Sequence, residues 1–265
     1  GCYNGFLAYG KRTNRYVLKA ANLCHNRLEI EKELQKVDLP AVKIIVSGNG
    51  RVGQGALEII KQLSIREVSK EEFVSQSFDG PVFVHLDFYD YNERIDGSVF
   101  SIKDFFSNPQ WFKSCFMNYA SCADIFIAGH YYGKGSPFLF TREDAKSSDF
   151  KIRTIADISC DIDGPVASTI RPSTIAEPIY GYNPHTESED VFDKDDVITV
   201  MAVDNLPCEL PKDASEDFGY ALIKHIFPCL LGEDSEQIIA RATICENGDL
   251  TTNYEYLREY VNTKD

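Results

Sequence analysis

The stretch "IIVSGNGRVGQGALEII", residues 44–60, decides the fold. Its glycines follow the spacing G-x-G-x-x-G at Gly48, Gly50 and Gly53, between an apolar strand-like run and a helix-like run. In that context the spacing predicts a dinucleotide-binding strand–turn–helix. Gly48 is expected to make the tight turn, Gly50 to let a pyrophosphate approach, and Gly53 to let the helix pack closely. The alternative is a glycine-rich turn that binds no ligand.

The helix predicted after this turn runs from about Arg51 to Leu63, with Val52 on its apolar face. Val52 is also a candidate cofactor-binding residue, because it lies in the first turn of this helix. Its first N–H groups have no partner within the helix, and the helix dipole adds partial positive charge there. The start of this helix is therefore a candidate anion site.

Apolar runs and helical patterns alternate along the chain. Strands are predicted at 41–47, 65–69, 81–89, 123–130, 152–160 and 195–207. Helices are predicted at 3–36, 51–63, 214–231, 233–241 and 253–262. This alternation predicts an α/β fold with a Rossmann-type doubly wound parallel sheet.

We expect three segments. Residues 1–40 form a helical linking segment, residues 41–207 form the dinucleotide-binding domain, and residues 208–265 form a helical return segment. The flanking helical segments are expected to belong to a second domain that is incomplete in this chain. Ligands of such sheets bind outside the carboxyl ends of the strands. The polar residues at those ends are therefore site candidates: Ser47, His130, Asp157 and Asp204.

The position that reads the adenosine ribose is expected about 20 residues after the glycines. Ser69 and Lys70 stand there, and a hydroxyl with a cation suits a 2′-phosphate better than a free diol. Glu71 and Glu72 follow directly and favour the diol. NADP(H) is therefore favoured, with NAD(H) as the alternative.

Composition excludes several classes of function. The formal net charge is −14, which argues against nucleic acid or an anionic membrane surface as partner. No run approaches the roughly 20 apolar residues of a membrane span. The eight cysteines lack zinc spacing, so no metal is expected and free thiols in a reducing compartment are predicted. A cytoplasmic location, or the mitochondrial matrix in a eukaryote, is the resulting expectation.

Six distinctive blocks follow one another along the sequence: "GNGRVGQGALEI" (48–59), "REVSKEEF" (66–73), "SPFLFTREDA" (136–145), "IADISCDIDGPV" (155–166), "PSTIAEPIYGY" (172–182) and "VDNLPCELPKDASEDFG" (203–219). Together they resemble the lysine–2-oxoglutarate reductase (saccharopine dehydrogenase) family, within the alanine dehydrogenase and transhydrogenase superfamily. That family includes the reductase half of the bifunctional aminoadipic semialdehyde synthase and, more distantly, the fungal saccharopine dehydrogenases. The blocks run in the family's order from about residue 42 to 260.

The resemblance implies an oxidoreductase that condenses L-lysine with 2-oxoglutarate and reduces the imine to saccharopine with a nicotinamide cofactor. It implies pyrophosphate contacts from Gly50 and Arg51, and cofactor contacts from Tyr131 and Ile158. It also places Val203, Asp204, Asn205 and Leu206 near the nicotinamide, where Asp204 orients the carboxamide or the ribose.

The family's acid–base lysine and histidine lie in an N-terminal substrate domain that this sequence does not match. The catalytic candidates left in this chain are Asp204 and Asp157, of which Asp157 is equally well explained as a turn residue. His130 is a candidate proton-transfer group or an ordinary loop histidine. Lys134 and Arg171 are weaker anion-binding candidates.

The oligomeric state is left open. Two other functions also remain open: a related amino-acid or imine dehydrogenase of the alanine dehydrogenase type, and a nucleotide-binding regulatory module without turnover.

Overall fold

The computed structural model describes residues 1–133 and 135–263. Its strands are β1 Lys43–Ser47, β2 Arg66–Glu67, β3 Val82–Leu86, β4 Asn92–Arg94, β5 Phe112–Ser114, β6 Ile125–Ala128, β7 Thr154–Asp157, β8 Tyr180–Asn183, β9 Ser188–Asp190, β10 Ile198–Met201, β11 Cys245–Glu246 and β12 Asp249–Leu250. Its α-helices are α1 Cys2–Thr13, α2 Arg27–Leu34, α3 Arg51–Gln62, α4 Lys70–Ser75, α5 Ile102–Ser107, α6 Met117–Ala120, α7 Arg142–Lys146, α8 Pro211–Ala221, α9 Phe227–Leu231, α10 Ile238–Ala242 and α11 Arg258–Asn262.

The central sheet has eight strands in the order β2-β3-β1-β6-β7-β10-β8-β9. The six strands from β2 to β10 are parallel, whereas β8 and β9 pair antiparallel at one edge. The predicted α/β fold with a Rossmann-type parallel sheet is confirmed. The β8–β9 hairpin and the small β4–β5 pair were not predicted, because each strand is only three or four residues long.

Helices cover both faces of the sheet, which makes it doubly wound. Ile44 and Val46 of β1 point into the core beneath α1, α2 and α3, whereas Ile45 points into the core on the opposite face. All three side chains are fully buried. This burial on both faces explains why the strand is a continuous apolar run rather than an alternating one.

The single helix predicted over residues 3–36 is wrong, because the structure divides it. Helix α1 ends at Thr13, and its C-cap residue Asn14 adopts the left-handed conformation with φ 52°. Helix α2 begins after Asn26, whose side chain accepts a hydrogen bond from the Glu29 N–H. Arg12, at the end of α1, donates to the carbonyl oxygen of Phe192 at 2.6 Å and to Thr199 Oγ1 of β10 at 2.9 Å. Helix α1 is therefore fixed against the sheet.

The chain divides into two compact units, Gly1–Leu210 and the residues from Pro211 onward. Residues 1–40 lie in the same unit as the sheet. The second unit contains α8 to α11 and the β11–β12 hairpin. The three predicted segments, and the assignment of the flanking helices to another domain, stay predictions. No helix in the described ranges combines the length and the apolar character needed to cross a membrane.

Candidate functional site

The glycine turn at the end of β1 is built as the spacing predicts. Gly48 has φ +97°, a conformation that L side chains rarely adopt, and its N–H donates to the Leu86 carbonyl at 2.9 Å. A Cβ atom at Gly48 would lie 2.3 Å from the Gly129 carbonyl oxygen, and one at Gly53 would lie 1.9 Å from that of Gly48. A Cβ atom at Gly50 would meet nothing within 4 Å. The turn is therefore closed toward the sheet and open toward solvent at Gly50.

Helix α3 begins at this opening. Its N-cap, Gly50, has no side chain to satisfy the first N–H groups, and both Arg51 and Val52 are exposed. Gln54 braces the loop by donating from Nε2 to Asn49 Oδ1 at 2.9 Å. The start of this 12-residue helix thus presents free backbone donors and one guanidinium group to an anion.

A cavity of about 670 Å³ extends from this turn across the carboxyl ends of β3, β1, β6 and β7. Six of the predicted cofactor residues line it: Gly48, Gly50, Arg51, Val52, Tyr131 and Ile158. Gly53 lies behind the turn, where it packs on Gly48. The volume is in the ordinary range for a small-molecule or cofactor site.

Sequence reasoning missed the part of the cavity that follows β3. Asp87 and Phe88 come directly after this strand, and Phe105 and Phe106 of α5 lie opposite. The Phe88 ring stacks on Phe105 with centroids 5.3 Å apart and contacts Phe106 at 5.4 Å. Asp87 is the polar residue that ends an apolar run, which is the same signal that selected the other strand ends.

The expected ribose-reading residues Ser69 and Lys70 do not line this cavity. The second strand in the sequence, β2, lies at the edge of the sheet, and β3 lies between it and β1. Counting 20 residues from the glycines therefore leads to the end of β2, whereas the strand that pairs with β1 on this side is β3. Ser69 is instead the N-cap of α4, where its Oγ accepts from the Glu72 N–H. Lys70 forms an ion pair with Asp90.

Asp157 has the environment of a structural residue. Its side chain is fully buried and accepts hydrogen bonds from Ser159 N, Ser159 Oγ and Cys160 N through Oδ1, and from Thr169 Oγ1 through Oδ2. Burial raises the pKa of this carboxyl group, and the four hydrogen bonds oppose that shift. The carboxylate organises the turn after β7 and does not line the cavity.

The segment from Val203 to Leu206 follows β10, the next strand along the sheet from β7. Val203 is buried, Asp204 and Asn205 are exposed, and none of these three lines the main cavity. Leu206 lines a second cavity of about 400 Å³, which shares Arg51, Val52 and Ile158 with the first. Asp204 thus stands one strand beyond the main cavity.

His130 is neither an exposed loop residue nor a solvent-accessible base. It is buried, and its Nδ1 is hydrogen-bonded to Ser47 Oγ at 3.0 Å. Its Nε2 has no hydrogen-bond partner among the described residues, and the residue lines the main cavity. Burial lowers the pKa of His130 to about 4, so the ring is neutral near pH 7.

Arg171, a predicted anion-binding residue, lies within the described part of the chain. Arg171 makes a bidentate ion pair with Glu189 at 2.7 and 2.6 Å and lies over the Tyr180 ring, so the structure gives it partners of its own. Lys134 lies outside the described residues. Every cysteine is a free thiol, and burial raises the pKa of Cys160 to about 11. Over residues 1–133 and 135–263, no group of three or more histidine, cysteine or acidic side chains is placed to hold a metal ion.

Comparison with known proteins identifies several relatives. The mitochondrial alpha-aminoadipic semialdehyde synthase of Mus musculus is 25% identical over 87% of this chain and 28% of its own length. The Arabidopsis thaliana synthase is 28% identical over 87% of this chain and 24% of its own length. The saccharopine dehydrogenase [NAD(+), L-lysine-forming] of Candida albicans is 27% identical over 82% of this chain and 47% of its own length. No family model matches the chain.

The chain thus spans between about a quarter and a half of the curated relatives it matches. Among solved structures, an L-alanine dehydrogenase is similar with a TM-score of 0.46 and 14% identity, over 98% of this chain and 64% of the other. The names of the sequence relatives are those of the family that the sequence blocks resemble, and that resemblance is confirmed.

Proposed function

We propose that this chain is the cofactor-binding portion of an NAD(P)H-dependent oxidoreductase that reduces the imine of L-lysine and 2-oxoglutarate to saccharopine. The observation that carries the proposal is the cavity at the carboxyl ends of β3, β1, β6 and β7. It is built around the glycine turn, and relatives named alpha-aminoadipic semialdehyde synthase and saccharopine dehydrogenase align over most of this chain.

The residues of the cavity fit a dinucleotide. Gly50 leaves open space beside the free N–H groups of α3, which suits a pyrophosphate, and Arg51 adds a positive charge there. The buried Nε2 of His130 offers one further polar contact in the wall. The nicotinamide of the bound cofactor supplies the hydride for reduction of the imine.

The chain's own residues bind and orient rather than transfer protons. Arg51 and the start of α3 hold the phosphates, while Ile158 and Tyr131 line the continuation of the cavity past β6 and β7. Asp204, exposed after β10, is proposed to orient the nicotinamide end, a role that the family resemblance implies. Neutral His130 is a weak base at pH 7, so the acid–base lysine and histidine belong to the N-terminal substrate domain that the family resemblance implies.

The test is performed on the full-length natural protein that contains this chain. Oxidation of NADH and of NADPH is followed with L-lysine plus 2-oxoglutarate, and separately with ammonia plus pyruvate. Oxidation that depends on both lysine and 2-oxoglutarate is the expected result. Oxidation with ammonia and pyruvate alone would instead support an alanine dehydrogenase type of enzyme. Cofactor binding without turnover on either pair would support a regulatory module.

A further inference from the structure

The strand beside the glycine strand ends in an acidic residue. Strand β3 pairs with β1 along its whole length, and Ser47 is the register partner of Leu86. Asp87 follows at once and is held close to the turn, since the Gly48 N–H donates to the Leu86 carbonyl at 2.9 Å. In dinucleotide-binding sheets, an acid at this place accepts hydrogen bonds from the ribose hydroxyls.

The Asp87 carboxylate is available to a ligand. The side chain lines the main cavity and is half-buried. Its Oδ1 accepts a hydrogen bond from the Phe88 N–H at 2.8 Å, which fixes its orientation. Within the part of the chain that the structure describes, Oδ2 has no hydrogen-bond partner. One carboxylate oxygen is therefore positioned by the protein while the other remains open for a hydroxyl group.

The nearby cation is neutralised by a second acid. Asp90 pairs with Lys70 through Oδ1 and accepts from the Asp87 N–H through Oδ2 at 2.8 Å. The Asp90 side chain thus fixes the Asp87 backbone. It also pairs with Lys70, the cation that would otherwise be available to a 2′-phosphate. Among the described residues that line the cavity, Arg51 is the only lysine or arginine, and it stands at the phosphate-binding helix end.

The surroundings of Asp87 also fit an adenine base. The rings of Phe88, Phe105 and Phe106 line the same end of the cavity, and Phe106 is 62% exposed. A flat aromatic base stacks on such a surface. The acid that reads the ribose and the aromatic wall that takes the base therefore lie next to each other, as an adenosine requires.

We infer that this site selects NAD(H) over NADP(H), with Asp87 as the residue that accepts the adenosine ribose hydroxyls and Asp90 as its positioning residue. A 2′-phosphate would place negative charge against the Asp87 carboxylate, and no described cation of the cavity stands there to offset it. The inference rests on the proposed nicotinamide-dependent function and revises the cofactor preference expected from Ser69 and Lys70.

The test measures the affinities of NADH and NADPH for this chain by isothermal titration calorimetry. The wild-type chain should bind NADH about 10- to 100-fold more tightly than NADPH, the effect of a hydrogen bond to a charged group. Asp87→Asn keeps the size of the side chain and its bond to Phe88 but removes the charge. It should weaken NADH binding and reduce the preference to within about threefold. Glu67→Gln, at the end of the edge strand β2, is the matched control and should preserve the wild-type preference.

The two failures are distinguishable. If a folded wild-type chain binds neither nucleotide, the proposed function is contradicted. If it binds both nucleotides and prefers NADPH or shows no preference, the inference about Asp87 is overturned and the proposed function stands. A wild-type preference for NADH that Asp87→Asn leaves unchanged, in a variant with wild-type thermal unfolding, also overturns the role of Asp87.

Discussion

Gly53 packs directly on the backbone of Gly48: a Cβ atom at Gly53 would lie 1.9 Å from the Gly48 carbonyl oxygen. The obstacle is backbone, so it cannot move aside as a flexible side chain would. This close packing of Gly53 on Gly48 holds the start of α3 against the end of β1. It is the contact through which the glycine spacing determines the shape of the candidate phosphate site.

Gly53→Ala is therefore expected to be strongly destabilising. The methyl group forces the turn apart, at a cost of about 2 kcal/mol or more in the free energy of unfolding. Gly55→Ala is the matched control in the same helix, because a Cβ atom there meets nothing within 4 Å. It should stabilise the chain by about 0.5–1 kcal/mol. Urea denaturation measures both, and equal effects of the two substitutions would contradict the packing argument.

The buried His130 should make stability fall in mild acid. Its pKa is lowered to about 4 by burial, from an ordinary value near 6.5, so the unfolded chain binds this proton more readily. The contribution of the neutral, buried His130 ring to the free energy of unfolding is fully retained above about pH 6.5. It is lost progressively as the pH falls toward 4. The total loss is about 3 kcal/mol.

The measurement is the free energy of unfolding from pH 7 to pH 5 for wild type, His130→Gln and His185→Gln. The difference between wild type and His130→Gln should change with pH over this range. His185 is exposed, so its substitution should leave the wild-type pH dependence in place. Parallel curves for wild type and His130→Gln would show that burial of His130 has no such effect.

Asp157 is predicted to stabilise the fold rather than to act on a substrate. Asp157→Ala leaves four donors around the fully buried site without an acceptor and should cost at least about 3 kcal/mol. Asp157→Asn keeps one acceptor oxygen for the donors on Ser159 and Cys160, so it should lose much less stability. Both are measured by urea denaturation, with NADH affinity as the second readout. A folded Asp157→Asn chain of wild-type stability that no longer binds NADH would contradict this assignment.

Substitution of Lys70 distinguishes the NADP(H) preference expected from Ser69 and Lys70 from the NAD(H) preference inferred from Asp87. Because its ammonium group is engaged by Asp90 outside the cavity, Lys70→Met should leave the ratio of NADH to NADPH affinity within about twofold of wild type. Calorimetric titration with each nucleotide measures this ratio. A selective loss of NADPH binding in Lys70→Met would restore the expectation drawn from the sequence. Arg51→Met is the contrasting variant, because loss of a pyrophosphate contact should lower the affinities for NADH and NADPH by a similar factor.

Local sequence was sufficient for much of this fold. The glycine spacing, the apolar run before it and the helical pattern after it correctly predicted β1, the turn at Gly48 and α3. Each is governed by short-range physics: a positive φ angle, burial on both faces of a strand, and the helical repeat. The polar ends of the long strands could be identified for the same reason.

Which strands are neighbours could not be obtained in this way. The residues of β2 (Arg66–Glu67) and β3 (Val82–Leu86) do not by themselves indicate which of these strands pairs with β1. Strand pairing depends on contacts between residues far apart in the chain. The sequence therefore indicated Ser69 and Lys70, and only the sheet order brought Asp87 beside the glycine turn. The burial of His130 and the hydrogen-bonded environment of Asp157 could not be predicted from the sequence for the same reason.

The sequence by itself determined that this protein has a tight glycine turn between a buried parallel strand and a helix. The tertiary structure decided what stands beside that turn: a half-buried carboxylate, an aromatic wall and a lysine already engaged by another acid. The physical reason is that turn geometry is set by the φ angles and steric size of consecutive residues. The chemistry of a cavity is set by which distant strand ends the packed core holds together.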